Sequence, residues 1–495
     1  MATILSKSDF IDYLKCPKSL WLKKKRSDLY IAPVITDFQQ KNMDAGYEVE
    51  LVARKLFPGG ILLDGNIKDL AIETQKLVDQ KKSPIFQATF IANENLLAKA
   101  DILEYDENLA SWNIYEVKSS TSIKTDREHN HIKDATFQAS VIEKCGVPIA
   151  NTFIIHLNKE YKKDGEIDVA KLFIKENVSE DVKRAKEATS SEIEGALALL
   201  EQDEIKMDSC PCLYLTRGNH CSCFSVFNPR IPEYSVHDIS RINSNKLKTL
   251  IDSGVYDIAD VSESFELTDI QRNQVSLIQR KEIQTDSKNI KDILNKLEYP
   301  LYFIDYETYS SAIPVLDGFS PHQHIPFQVS IHVLKPDKTL EHFEYLADDI
   351  KNSTTGLIGF MQKIIEPTGT IISWHASFEN TRNKEIAQIY PEHIDFLTNI
   401  NQRTLDLEAI FKNDYIHYDF KGKTSIKNVL PVLLPEFSYK NLSIQGGTEA
   451  MEKWGKMIFD DISESEKLVI KEGLLEYCKM DTLAMVNIFK HLESI

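Results

Sequence analysis

Asp101 lies in the run LLAKADILEY, and Glu116, Val117 and Lys118 follow in WNIYEVKSS. Alternate residues of a strand share a face, so Glu116 and Lys118 point one way while Val117 enters the core. Two carboxylates and a lysine at the end of paired strands can hold a divalent cation. The lysine can then position or deprotonate an attacking water, which is the chemistry of metal-assisted phosphodiester hydrolysis. Glu50, on a preceding helix, can complete the acidic shell, and Gln138 and Lys133 can contact the phosphodiester. The plainer alternative is a cross-strand surface pair of Glu116 and Lys118.

A second set of acids stands further along. Asp305 and Glu307 share one face near the end of the apolar strand YFIDYET. Glu379 opens a helical segment in SFENTRNKEI, and Tyr477 and Asp481 are one helical turn apart. Four carboxylates can bridge two divalent ions, Mg²⁺ or Mn²⁺, on either side of a phosphate, with the tyrosine orienting water. Asp406, in RTLDLEAIF, reads as a helix N-cap. Cys16, Cys210, Cys212, Cys221 and Cys223 form a third constellation, whereas Cys145 and Cys478 read as helix-face residues. In a cytosolic chain such spacing reads as an iron–sulfur or metal site before disulfides, with zinc on Cys₄ or Cys₃His (using His220) as the alternative. Five thiols compete for four places, and the tight C-P-C spacing lets one of each close pair be a bystander.

These motifs resemble known families. CPKSLWL, GYEVE with Glu50, the Asp of AKAD, EVKSS and the Gln of ATFQASVI resemble the RecB-type PD-(D/E)XK nucleases, specifically the iron–sulfur members related to AddB and the CRISPR adaptation nucleases, over about residues 5–225. The resemblance implies Asp101 and Glu116 as metal ligands, Lys118 as catalytic lysine and Gln138 as helper. It also implies a [4Fe–4S] cluster joining Cys16 to the block CPCLYLTRGNHCSC. The family most often has His in place of Glu50. D-x-E at 305–307, Glu379 and Y-x₃-D at 477–481 resemble the DEDDy exonucleases of the RNase H-like fold, although Glu379 replaces their usual Asp. The stretch 298–445 also looks like an uncharacterised bacterial domain family that follows RecB-type nucleases.

The elements that must position these residues set the domain plan. A chain of 495 residues predicts about three domains. A helix is expected over SDFIDYLKCPKSLWLKKKR and another over AGYEVELVARKLF. Strands follow at PIFQATFIA, LLAKADILEYD and WNIYEVKSS, then a helix at TFQASVIEKCG and a strand at NTFIIHLN. That order predicts an α/β, restriction-endonuclease-like domain over 1–225. Residues 226–296 read as a helical linker. There ISRINSNKLKTLIDSGVYDIADV resembles a helix–hairpin–helix, with Arg241, Lys246 and Lys248 set to meet DNA backbone; two packing helices with a glycine cap are the alternative. Residues 297–495 form a second α/β, RNase H-like domain ending in a long helix, and the basic loop with Lys421, Lys423 and Lys427 can grip phosphates.

Composition limits the rest. The chain carries 58 basic and 75 acidic side chains, a net −17, which argues against coating nucleic acid through an overall field. Local basic patches are left to do any binding. No signal-peptide pattern or membrane-length apolar run is present, so a cytoplasmic protein is expected. Together these readings predict a metal-dependent nuclease acting on DNA, favoured over RNA, from single-stranded ends, with a helicase or defence-system protein as partner. An RNA 3′ exonuclease and a nucleic-acid clamp with one degenerate nuclease domain are the alternatives.

Overall fold

The computed structural model describes residues 3–127 and 129–495. It divides into two compact units, one comprising Met1–Ile231 with Ala312–Pro321, the other Pro232–Ser311 with His322–Ile495. Both are mixed α/β. The expected linker 226–296 therefore forms no body of its own. Most of it joins the second unit, where β8 (Ile283–Thr285) pairs with β14 (Tyr415–His417). Among the described residues no helix is long and apolar enough to cross a membrane.

The first unit is built on a mixed sheet of β1 (Leu5–Ser6), β2 (Ile61–Leu62), β3 (Ile85–Ala92), β4 (Leu96–Asp106), β5 (Ser111–Lys118), β6 (Ile149–Leu157) and β7 (Phe173–Asn177). Its order is β2-β3-β4-β5-β6-β7, with β1 beside β4. β3, β4 and β5 run antiparallel; helix α5 (His131–Lys144) then crosses over to β6, parallel to β5. Alternation sorts the side chains of β5. Tyr115 and Val117 join the core under helix α3 (Asp37–Ala53), while Ile114 packs in the core shared with α5. Glu116 and Lys118 continue the α5 side. The helix expected near the N-terminus is broken: α1 (Lys7–Lys15) ends at extended Cys16, and α2 (Pro17–Lys25) begins at Pro17. A proline lacks the N–H a continuing helix needs but suits a first turn.

The second unit carries five strands: β9 (Leu301–Tyr309), β10 (Ile325–Leu334), β11 (Leu340–Leu346), β12 (Thr370–Ser373) and β13 (Thr404–Asp406). Their order is β11-β10-β9-β12-β13. β9 to β11 form an antiparallel meander, and β12 and β13 add in parallel. Along β9, Tyr302, Ile304 and Tyr306 pack against helix Ser353–Ile364. Leu301 and Phe303 pack on the opposite face with the helices Gly447–Phe459 and Glu464–Glu493. Asp305 and Glu307 extend that second face. Polar contacts pin the 30-residue helix Glu464–Glu493 to the sheet: Gln328 Nε2–H donates to the Leu474 carbonyl at 2.7 Å, and Thr482 Oγ1 lies 2.7 Å from Ser330 Oγ and 2.8 Å from His332 Nδ1.

Trp454 anchors the neighbouring helix. It is fully buried, stacks on Phe327 at 4.4 Å and donates its indole N–H to the Ala347 carbonyl at 2.9 Å. Trp454→Ala should cost the second unit about 3–5 kcal/mol. Chemical denaturation followed by circular dichroism checks this; a loss under about 1 kcal/mol would place the anchor elsewhere.

Candidate functional site

The first unit brings Asp101, Glu116, Lys118 and Gln138 together. The recorded β4–β5 pairing stops at Ile102–Tyr115, and beyond it Val117 N–H donates to Asp101 Oδ2 at 2.8 Å. Glu116 is almost fully buried, and both its oxygens are taken. Gln138 Nε2–H donates to Oε2; Lys118 Nζ (2.9 Å) and Lys7 Nζ (2.6 Å) both donate to Oε1. Lys118 also donates to Asp134 at 2.5 Å. Burial alone would raise the Glu116 carboxyl, but Lys118 and Lys7 hold it at about 2. Asp101 goes the other way: burial, then Glu116, push it up to about 8, with Lys7 and the Val117 N–H opposing and Glu50 adding to the repulsion. Burial works against the Lys118 ammonium, yet Glu116 and Asp134 hold its pKa above the ordinary lysine value. Lys118 is therefore held as an ammonium, paired with Glu116 and Asp134.

Other expected residues stand apart. Glu50 is paired with Arg54 at 2.6 Å and with Gln87. Lys133 is paired with Glu192 on helix Ser179–Glu201. Lys7, whose position in the sequence carries no hint of residue 116, supplies the second ammonium at the site. Asp134 was legible in principle, because it shares a helical face with Gln138 four residues on.

The second unit is arranged differently. Carboxylate oxygens of Asp305, Glu307 and Asp481 lie within 4.8 Å of one another, a convergence that Glu50, Asp101 and Glu116 do not reach. Burial first, then Asp481, Glu307 and Glu379, push Asp305 well above the carboxylate range. Glu307 rises to about 8 through burial and Asp481, with Lys427 opposing. Burial lifts Asp481 to about 6 against the hydrogen bond from Tyr439 (2.7 Å) and the charge of Lys427. Glu379 stands at the edge of the group, 6% exposed, with Oε2 unpartnered and its pKa pushed up to about 8 by burial and Asp406. Asp406 ends β13 and is not the N-cap of the following helix, which is Leu407; its Oδ1 accepts from Glu408 N–H at 3.1 Å and His375 N–H at 3.0 Å. Lys427 Nζ donates to Tyr477 Oη at 3.1 Å. A Cβ on Gly447 would stand 3.3 Å from Glu307, so glycine lets that helix start against the carboxylate. Buried oxygen donors that repel one another suit Mg²⁺ or Mn²⁺.

Of the other basic candidates, Lys246 pairs with Glu266 (3.5 Å) and Lys248 with Asp252 (2.6 Å). Arg241 occupies an exposed left-handed turn position. The expected second helix of the hairpin is a single 3₁₀ turn, Ile258–Asp260, so no pair of α-helices flanks Gly254. Lys421 lies over the Tyr234 ring at 5.8 Å, and Lys423 is exposed in the same loop. Lys427 lies beyond this loop, in the first turn of helix Ile426–Leu433, and its charge acts on Glu307 and Asp481.

The thiols converge too. Sγ atoms of Cys16, Cys210, Cys212 and Cys221 lie within 4.8 Å of one another. Both members of C-P-C take part, because the chain passes from extended at Cys210 into a 3₁₀ turn at Pro211. Cys223 is the bystander. It caps the short helix Phe224–Phe227, and its sulfur meets the Ile31 N–H at 3.4 Å. His220 stacks on Phe224 and faces the Leu215 carbonyl at 2.9 Å, away from a ligand role.

A family profile described as a domain of unknown function, DUF2779, matches residues 302–425. The chain is 26% identical to uncharacterized protein MG366 of Mycoplasma genitalium over 224 residues, 41% of this chain and 34% of that protein. It is 25% identical to uncharacterized protein UU173 of Ureaplasma parvum over 278 residues, 52% of this chain and 40% of the relative. The chain thus spans well under half the length of these curated relatives, and neither name states an activity.

The raised acids carry a pH signature. A carboxyl whose pKa is higher folded than unfolded stabilises the fold below its unfolded value and loses that contribution as pH rises through the folded one. From the ordinary carboxylate range up to about 8 at Glu307, with Asp305 shifted the same way, stability of the metal-free second unit should fall as pH rises. Mg²⁺ or Mn²⁺ should raise the melting temperature more at pH 8 than at pH 5, as scanning calorimetry would read. An equal rise at both values would mean that these acids do not take up the ion.

Proposed function

We propose that the protein is a metal-dependent nuclease that hydrolyses DNA phosphodiesters, acting from single-stranded ends in repair or defence. The convergence of half-buried Asp305 with buried Glu307 and Asp481, with Tyr477 and Glu379 beside them, carries this reading. The strand order β11-β10-β9-β12-β13, with its meander and two added parallel strands, supports an RNase H-like fold for the second unit. Helix α3, the β3–β5 meander and the α5 crossover to β6 support a PD-(D/E)XK fold for the first.

In the second unit Asp305, Glu307, Asp481 and Glu379 would hold the divalent ions, which when bound offset phosphate charge and favour ionised water. Tyr477, held by Lys427, presents its hydroxyl to orient that water. In the first unit Gln138 and Lys7 fix Glu116, and the Lys118 ammonium donates to a phosphate oxygen. One observation favours a second reading for this unit, a DNA clamp that does not cut. Both Glu116 oxygens are already engaged, so an ion must displace the Gln138 amide at Oε2 or compete with two ammoniums at Oε1.

End-labelled single- and double-stranded DNA and RNA, assayed with Mn²⁺ or Mg²⁺, test the proposal. Asp305→Asn should lower cleavage about 10³-fold, roughly 4 kcal/mol of transition-state stabilisation. Lys118→Ala should remove whatever cleavage remains in that variant if the first unit cuts, and should weaken only DNA binding if it is a clamp. Undiminished cleavage in the double variant would reject both sites, and RNA-only cleavage would reject DNA as substrate.

A further inference from the structure

The cysteine site decides its own metal by size. A [4Fe–4S] cube puts each thiolate on a different iron, so its ligand sulfurs stand about 6 Å apart. A single tetrahedral ion with metal–sulfur bonds of about 2.3 Å brings them to about 3.8 Å. Here all four sulfurs lie within 4.8 Å of one another, inside the span of a cube and within reach of one ion. No room is left among them for four irons and four sulfides. The four-iron cluster implied by family resemblance therefore does not fit these residues.

We propose that Cys16, Cys210, Cys212 and Cys221 bind one zinc ion in a closed, structural Cys₄ site. Its surroundings have what such a site needs. Asn228, itself buried, donates its side-chain N–H to Cys210 Sγ at 3.6 Å, and the Cys221 backbone N–H supports the Cys212 thiolate. Cys223 is held away on Ile31, and among the described residues no carboxylate joins the thiols, so the donor set there is four soft sulfurs. A cavity lined by Lys15, Cys16, Tyr30, Arg127, Asn219 and Cys221 opens beside two of the ligands and provides a path for the ion. Zinc loading deprotonates the thiols and forms four zinc–sulfur bonds with no change of oxidation state. It joins the break between α1 and α2 to the 210–221 segment, closing most of the first unit into one loop.

The inference does not depend on the nuclease reading, and its test does not use cleavage. The full chain, expressed with both iron and zinc present and purified anaerobically, is analysed for zinc, iron and acid-labile sulfide. One zinc per chain, negligible iron and sulfide, and a colourless solution are expected. Cobalt(II) exchanged into the same protein should give the intense visible bands of a tetrahedral tetrathiolate, a readout that needs no variant. Cys223→Ala should keep the full metal content, whereas Cys221→Ser should weaken zinc binding at least tenfold. A brown protein with about four irons and four sulfides would overturn the proposal. So would a single iron, a metal-free chain, or metal loss in Cys223→Ala.

Discussion

Strand β9 must carry two carboxylates on the face that the rest of its unit buries, and the second unit is organised around that constraint. Asp305 and Glu307 follow Leu301 and Phe303 on the same side, so the pleat that buries the aromatic ring also buries the acids. Isolated charges are costly there, and burial with mutual repulsion pushes these carboxyls above their ordinary range. Asp481 joins the group only because the long helix is rotated to face β9. Gln328, Ser330 and His332 fix that rotation through Leu474 and Thr482, one residue from Asp481. The polar pins under the helix are thus part of the geometry of the acids.

The first unit solves a similar problem in the opposite way. Its buried carboxylate, Glu116, is neutralised by two ammoniums from its own chain, and only Asp101 is left under electrostatic pressure. Charge-assisted hydrogen bonds make this arrangement self-sufficient, whereas the acids of the second unit are incomplete without a counter-ion. Two sites assembled from the same residue types therefore differ in how their buried charge is balanced.

Cys16 and Lys7 belong to one short stretch of chain with two duties. Lys7 opens α1 and reaches Glu116; Cys16 closes α1 and reaches the thiols near residue 212. An ion on the thiols would hold one end of this helix while Glu116 holds the other, leaving α1 little freedom to shift. The orientation of Lys7 would then be tied to the thiol site.

Local pattern by itself determined which strands carry Asp101, Glu116, Asp305 and Glu307, and which face each pair shares, because a period of two needs no information beyond the strand. It also determined the pairing of Tyr477 with Asp481 along one helix and the gathering of thiols near residue 212. Tertiary structure decided the rest. Lys7 reaches Glu116 across more than a hundred residues, Lys133 turns to Glu192, and the charge of Lys427 acts on Glu307 and Asp481. Charge attracts charge through space, and no spacing in the chain records which distant partner wins. The thiols show the same division: five candidates are legible, but only the backbone turn at Pro211 and the packing of Cys223 on Ile31 choose four. Their separation, which decides between a cluster and a single ion, is a distance that no linear order contains.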